Sequence, residues 1–246
     1  MPWTVSASRV ARLLSGEKVE GTPERAELGK LFEEGYQNAC WELGLLRCAG
    51  PSGGPDAVNV DDYLLDDFVE IVVDHVSRCG ELVDETHERE AAEIAEAFLR
   101  AGVAGRTPAT KFRKIEDDRY VAAKPDLVDD LAGLVVEFKI YEPGEYAKAQ
   151  SEVFSWVFRY PVWLVGWDGV SVVSRLVEGR DLELPAIPEG KFSWTDECRV
   201  LGLRRPFYHR PWFDDGNNDH GDYYDEYLDG YWGYDEDYDD DEDYYY

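Results

Sequence analysis

In the first hundred positions, hydrophobic residues recur at the three- to four-residue interval of an amphipathic helix. Near the N-terminus, Val10, Leu13 and Leu14 predict one apolar helix face. A turn-rich linker at 48–57 interrupts the pattern with repeated Gly and Pro. The predicted helices of this part lie within 1–18, 22–44, 58–80 and 83–102.

Two of these helices carry further signals. In 58–80 the predicted apolar face consists of Tyr63, Leu64, Phe68, Ile71, Val72 and Val76. The helix in 83–102 has Asp84 or Thr86 as its candidate N-cap, because a side-chain oxygen there can accept from the first free backbone N–H groups.

From about residue 110 the pattern changes to the short apolar and alternating runs of strands. The segment 145–160 returns to a helical period between two of these runs. The chain thus begins with helices and continues with strands, one further helix and more strands. This order predicts an α/β fold with a mixed sheet. The predicted strands lie within 110–115, 118–123, 134–139, 161–167 and 171–177.

One predicted strand carries candidate chemistry. Glu137 and Lys139 are two positions apart and therefore point to one face, while Phe138 points to the other. If Asp126 lies on a neighbouring strand, two carboxylates and one ammonium converge. Two carboxylates can hold a hard divalent cation such as Mg²⁺, and the Lys can orient a water or stabilise charge on a phosphate.

The residues Pro125, Asp126, Glu137 and Lys139 resemble the signature of the PD-(D/E)xK nuclease superfamily, with ten residues between the Asp and the Glu. This resemblance implies a restriction-endonuclease-like α/β/α sandwich with a mixed sheet. It also implies a phosphodiester hydrolase that depends on Mg²⁺ or Mn²⁺ bound by Asp126 and Glu137.

The order of elements after Lys139 resembles the RecB-like branch, including the CRISPR-adaptation nucleases. There a Gln-x-x-x-Tyr motif follows the Glu-x-Lys strand, and here the Gln is Gln150. The Tyr position is occupied by Phe154, so the hydroxyl is lost. The resemblance implies that Gln150 orients Lys139 or the substrate strand.

RecB-like nucleases also carry an upstream metal ligand on a helix. His87 is the preferred candidate, and Glu90, one turn further on, is a substitute or supporting ligand. The alternative is Glu33 in 22–44, where Gly29 and Glu33 resemble the Gly-x-x-x-His pattern with Glu in place of His.

Net charge complicates a nuclease assignment, because the formal charge is −28 and nucleic acid is a polyanion. About half of that charge lies in 207–246, an Asp- and Tyr-rich stretch that we expect to be disordered. The remaining organisation is a helical region at 1–80 and a nuclease core at 81–206. Basic residues that could contact a DNA backbone are Lys111, Arg113, Lys114, Arg119, Lys124, Lys139, Lys148 and Arg159.

The expected substrate is DNA, single-stranded or with duplex ends. Two other interpretations remain open. The first is a non-catalytic protein on a nuclease-like fold, whose tail binds a basic partner or mimics DNA. The second is a structure-selective endonuclease such as a junction resolvase, which would need a homodimer.

The four cysteines lack the spacing of a zinc site and do not match the family's iron–sulfur ligands, so free thiols and no cluster are expected. The low Met and Gln content and the excess of Arg over Lys are weak thermophilic signals. No apolar run is long enough for a membrane span, and the N-terminus does not resemble a secretory signal, so a cytoplasmic protein is expected.

Overall fold

The computed structural model describes residues 3–16, 22–51, 61–80, 83–116 and 119–178, together with 182 and 184. The described residues belong to one compact unit, and the acidic stretch 207–246 lies outside them. The elements in chain order are β1 (Trp3–Ser6), α1 (Ala7–Ser15), α2 (Pro23–Glu42), α3 (Asp62–Cys79), α4 (Glu85–Arg100), β2 (Lys111–Glu116), β3 (Arg119–Ala123), β4 (Leu127–Asp129), β5 (Leu134–Lys139), α5 (Glu145–Phe158), β6 (Val162–Trp167) and β7 (Val172–Val177).

The strands form two mixed sheets. In the three-stranded sheet the order is β1-β3-β2, with β1 parallel and β2 antiparallel to β3. In the four-stranded sheet the order is β4-β5-β6-β7, and only β5 and β6 are parallel. Helix α5 forms the crossover that a parallel pair requires. The predicted α/β class with mixed sheets is confirmed.

Side chains at the helix starts explain where three of the helices begin. Thr22 caps α2 by accepting from the backbone N–H of Arg25, and Pro23 occupies the first turn, where its missing N–H costs nothing. Asp61 caps α3. Of the two candidates for α4, Asp84 is the N-cap.

Helices cover both faces of the four-stranded sheet. Val136 and Phe138 of β5 point into a core shared with α2, α3 and α4. Val135 of the same strand points into a second core, which it shares with α1 and α5. The period-two alternation of β5 therefore separates two hydrophobic cores.

The larger core is held by aromatic side chains. Phe138 of β5 packs edge-on against Phe32 of α2 and Phe98 of α4, with ring centroids 5.9 Å apart in each pair. The ring centroids of Tyr36 and Phe138 are 5.1 Å apart. The buried hydroxyl of Tyr36 donates to the carbonyl of Val103 at 2.7 Å. These contacts fix α2 against the strand that carries Glu137 and Lys139.

Three expectations about the helical part are corrected. Residues 3–6 form a strand, because Trp3, Thr4 and Val5 pair with β3 before Ser6 caps α1. Leu13 is 43% exposed, whereas Val10 is buried as expected. Tyr63 is 81% exposed, because it lies in the first turn of α3 and the buried face runs through Leu65, Phe68, Val72 and Val76.

The described part of the chain contains no helix that is both long and apolar enough to cross a membrane.

Candidate active site

Asp126, Glu137 and Lys139 converge at the four-stranded sheet. Leu127 of β4 pairs with Val136 of β5, so continuing the antiparallel register by one step places Asp126 opposite Glu137. The carboxylate of Asp126 accepts from the backbone N–H of Phe138 at 2.7 Å. The ammonium of Lys139 contacts Glu137 Oε1 at 2.5 Å.

Both carboxylates are buried. Asp126 is 5% exposed and Glu137 is 1% exposed. Glu137 Oε2 has no hydrogen-bond partner among the described residues. Buried polar atoms in folded proteins are nearly always satisfied, so this carboxylate oxygen is an exception to the usual pattern.

Several carboxylates lie close together at this site, and their charges shift the pKa values of the site residues. Burial raises the pKa of Asp126 well above its usual range, and the charges of Glu137 and Glu33 raise it further. Burial also raises the pKa of Glu137, although the neighbouring Lys139 ammonium opposes this. For Lys139, burial would lower the pKa, but the two carboxylates outweigh it and raise the pKa above its usual value.

A third carboxylate comes from α2. Glu33 lies close enough for its charge to raise the pKa of both Asp126 and Glu137. The side-chain amide of Gln37, one turn later on α2, donates to Glu33 Oε1 and to the backbone carbonyl of Asp126, both at 3.0 Å. Gln37 therefore connects the upstream carboxylate to the residue that begins the motif.

His87 and Glu90 have other partners. The His87 ring contacts the carboxylate of Asp84 at 2.8 Å and completes a capping box at the start of α4. Glu90 forms an ion pair with Arg25 at 2.5 Å, and Arg25 also donates to the carbonyl of Ile140 at 2.9 Å. Of the upstream candidates, Glu33 is the one that the structure brings to Asp126 and Glu137.

Gln150 and Phe154 both lie on the buried side of α5. Gln150 is 9% exposed, its amide nitrogen donates to Ser8 of α1 at 3.5 Å, and its Oε1 has no partner among the described residues. The described contacts of Gln150 thus lead to α1 rather than to Lys139. Phe154 is 2% exposed and belongs to the α1–α5 core, where a hydroxyl would need a buried partner.

Two of the candidate DNA-binding cations contact the end of α5. Lys111 donates to the carbonyl of Phe158 at 3.3 Å, and Arg113 donates to the carbonyl of Trp156. The Arg113 guanidinium also lies 4.0 Å from the centre of the Trp156 ring. Cations at a helix C-terminus complement its dipole, so these contacts are structural.

Sequence reasoning missed Gln37 and Tyr141. Gln37 is four positions after Glu33, which places the two on one helix face, so the spacing itself was a signal. Tyr141 is two positions after Lys139, and burial together with Tyr146, Glu137 and Asp126 raises its pKa, while Lys139 opposes this. Tyr141 is 41% exposed as a residue, beside an otherwise buried centre.

The described thiols are poor nucleophiles. Cys40 and Cys48 are free, and burial raises the pKa of Cys40 to about 12 and that of Cys48 to about 11. The site's chemistry therefore lies with its carboxylates and ammonium. Cys198 is outside the described residues, as is the side chain of Cys79.

No protein-family model matches this chain, and neither the curated proteins nor the solved structures provide a match. The functional argument therefore rests on the geometry of the site.

Proposed function

We propose that this protein is a divalent-metal-dependent nuclease that hydrolyses phosphodiester bonds in DNA, with a restriction-endonuclease-like sandwich of the RecB-like type. The observation that carries the proposal is the convergence of Asp126, Glu137 and Lys139 in a buried setting. Helices on both faces of a mixed sheet agree with this fold type.

The donor set suits Mg²⁺ or Mn²⁺. Among the described residues, no three His, Cys, Asp or Glu side chains already stand as a ligand set. The chemistry nevertheless fits, because carboxylate oxygens are the ligands that hard cations prefer and Glu137 Oε2 has no described partner. Asp126 and Glu137 would hold the ion, with Glu33 as the third carboxylate. A bound ion would supply Lewis-acid polarisation of the phosphate and a lower pKa for the attacking water.

Lys139 supplies the positive charge that the protein itself contributes. The neighbouring carboxylates raise the pKa of Lys139, which favours its charged form, and we assign it the role of a cation. In hydrolysis it would stabilise the charge that develops on the phosphate oxygens. Glu137 Oε1 holds the ammonium in place at 2.5 Å.

The test is cleavage of labelled DNA in Mg²⁺ or Mn²⁺, with EDTA as the metal-free condition. We expect Asp126→Ala and Lys139→Ala to lose activity by at least about 10²- to 10³-fold, because each removes a group that acts on the transition state. Asp130→Ala is the matched control, since Asp130 lies on the same hairpin and its partner is the exposed Arg106. Equal activity in the wild type and all three variants would contradict the proposal.

A further inference from the structure

The segment after β5 is held rigidly beside the centre. The backbone N–H of Trp167 donates to the carbonyl of Tyr141 at 3.3 Å. Arg175 of β7 donates to the carbonyls of Pro143 and Gly144, both at 3.2 Å. These bonds fix 141–144 across the ends of β6 and β7.

Gly166 makes this crossing possible. It pairs with Lys139 in the parallel ladder between β5 and β6. A Cβ at position 166 would lie 2.7 Å from the Tyr141 carbonyl oxygen and would also overlap the Pro143 ring. Only a residue without a side chain lets the segment approach so closely next to Lys139.

Tyr141 lies near the site, because its side chain interacts electrostatically with Lys139, Glu137 and Asp126. It comes two positions after Lys139, just beyond the end of β5. Tyr141 is 41% exposed as a residue and belongs to neither hydrophobic core. A partly exposed aromatic residue on a fixed backbone, near the ammonium that the proposed function assigns to the phosphate, suits a nucleobase stacking platform.

We propose that Tyr141 is a substrate-positioning residue whose ring stacks on the base next to the cleaved phosphate. This inference rests on the proposed nuclease function. The face of a base is open to a side chain in a single strand or at a duplex end, so the proposed substrate presents one of these at the cleavage step. Stacking reads no base edge, so Tyr141 accepts any base.

The first experiment measures binding and does not depend on cleavage. A single-stranded oligonucleotide that contains 2-aminopurine is titrated with wild type and variants in Ca²⁺. We expect Tyr141→Ala to weaken binding about tenfold and to lose the fluorescence quenching, because the stacking partner is gone. Tyr141→Phe should keep both. Tyr141→Leu, which keeps apolar bulk but has no aromatic face, should behave like Tyr141→Ala, and this assigns the loss to stacking rather than to lost volume. Circular dichroism spectra that match wild type show that the variants fold.

The second experiment pairs the protein change with a substrate change. Cleavage KM is measured on an intact strand and on one with an abasic nucleotide beside the cleaved phosphate. We expect Tyr141→Ala to raise KM on the intact strand and to change it little on the abasic strand. The exposed Tyr63 provides the control variant, and Tyr63→Ala should leave KM unchanged on both strands.

The outcomes separate the two proposals. If wild type cleaves DNA but Tyr141→Ala shifts KM equally on both strands, the stacking inference is wrong and the nuclease proposal stands. If wild type cleaves no DNA, the nuclease proposal fails, and 2-aminopurine quenching that is lost in Tyr141→Ala would still support stacking at Tyr141. Quenching that is identical in wild type and Tyr141→Ala overturns the inference in either case.

Discussion

The two faces of β5 make opposite contributions to the protein. On one face, Phe138 meets aromatic rings from α2 and α4 and has an evident role in stability. On the other, Glu137 is equally buried, raises the electrostatic cost of its surroundings and leaves one oxygen without a described partner. A buried carboxylate that keeps one oxygen unpartnered costs stability, and such features are common at functional sites. A residue of this kind and a stabilising aromatic residue are therefore neighbours along one strand.

The largest effect on stability should come from the apolar face. Phe138→Ala removes a ring that contacts three other aromatic side chains, so we expect a loss of about 3–5 kcal/mol in the free energy of unfolding. Phe138→Leu, which keeps more of the volume, is the control and should lose clearly less. Urea denaturation measures both. A loss below 1 kcal/mol for Phe138→Ala would show that the two faces differ less than their packing indicates.

A smaller effect, on metal affinity, should show whether Glu33 or His87 is the upstream ligand of the proposed metal site. We expect Glu33→Gln to weaken Mn²⁺ binding about 10- to 100-fold, because it removes a charge near both carboxylates. His87→Gln should leave the affinity within about twofold of wild type. Calorimetric titration measures both affinities. A larger loss in His87→Gln than in Glu33→Gln would return the ligand role to His87.

The smallest expected effect is on how the free energy of unfolding depends on pH. The folded-state pKa of Asp126 is raised, so the folded protein binds a proton more tightly than the unfolded chain does. Its contribution to stability is therefore complete below the unfolded pKa, near 3.9, and is lost as pH rises through the folded pKa. Asp126→Asn cannot ionise, so it avoids the loss of stability that wild type shows as pH rises. Its amide oxygen can still accept from the backbone N–H of Phe138. We expect the variant to exceed wild type by about 0.5–2 kcal/mol at neutral pH.

Thermal unfolding across pH checks this prediction. The difference between Asp126→Asn and wild type should be near zero at the acidic end and should grow as pH rises toward neutrality. Asp130→Asn, on the exposed end of the same hairpin, should show no such growth. A variant that is less stable than wild type at neutral pH would mean that the charged Asp126 is satisfied in the folded protein.

The sequence predicted much of this architecture because its decisive patterns are local. The period of two placed Glu137 and Lys139 on one face, and apolar periodicity located α2, α4, α5, β6 and β7. Strand β4 was not predicted, because its three residues are all buried and show no alternation. Strand β1 was absorbed into a predicted helix, because its strand character depends on a partner that lies more than a hundred residues away.

The choice between His87 and Glu33 as the upstream residue shows the same limit of local sequence patterns. His87 was preferred for its chemistry, yet its ring is used by Asp84 three residues earlier, a capping spacing that is visible in the sequence. Bringing Glu33 to Asp126 requires α2 to pack on the sheet through Phe32 and Tyr36. That packing is a tertiary result, which no local pattern encodes. The contacts of Lys111 and Arg113 with α5 could not be predicted for the same reason, since their partners lie more than forty residues away.

The parallel pairing of β1 with β3 also sets an order for folding on the ribosome. Trp3 pairs with Arg119, so β1 must wait for more than a hundred further residues before its partner exists. At about 5–20 residues per second, that delay is several seconds or longer. During this time Trp3 and Val5 lack their native neighbours, so the β1-β3-β2 sheet completes only after β3 has been synthesised.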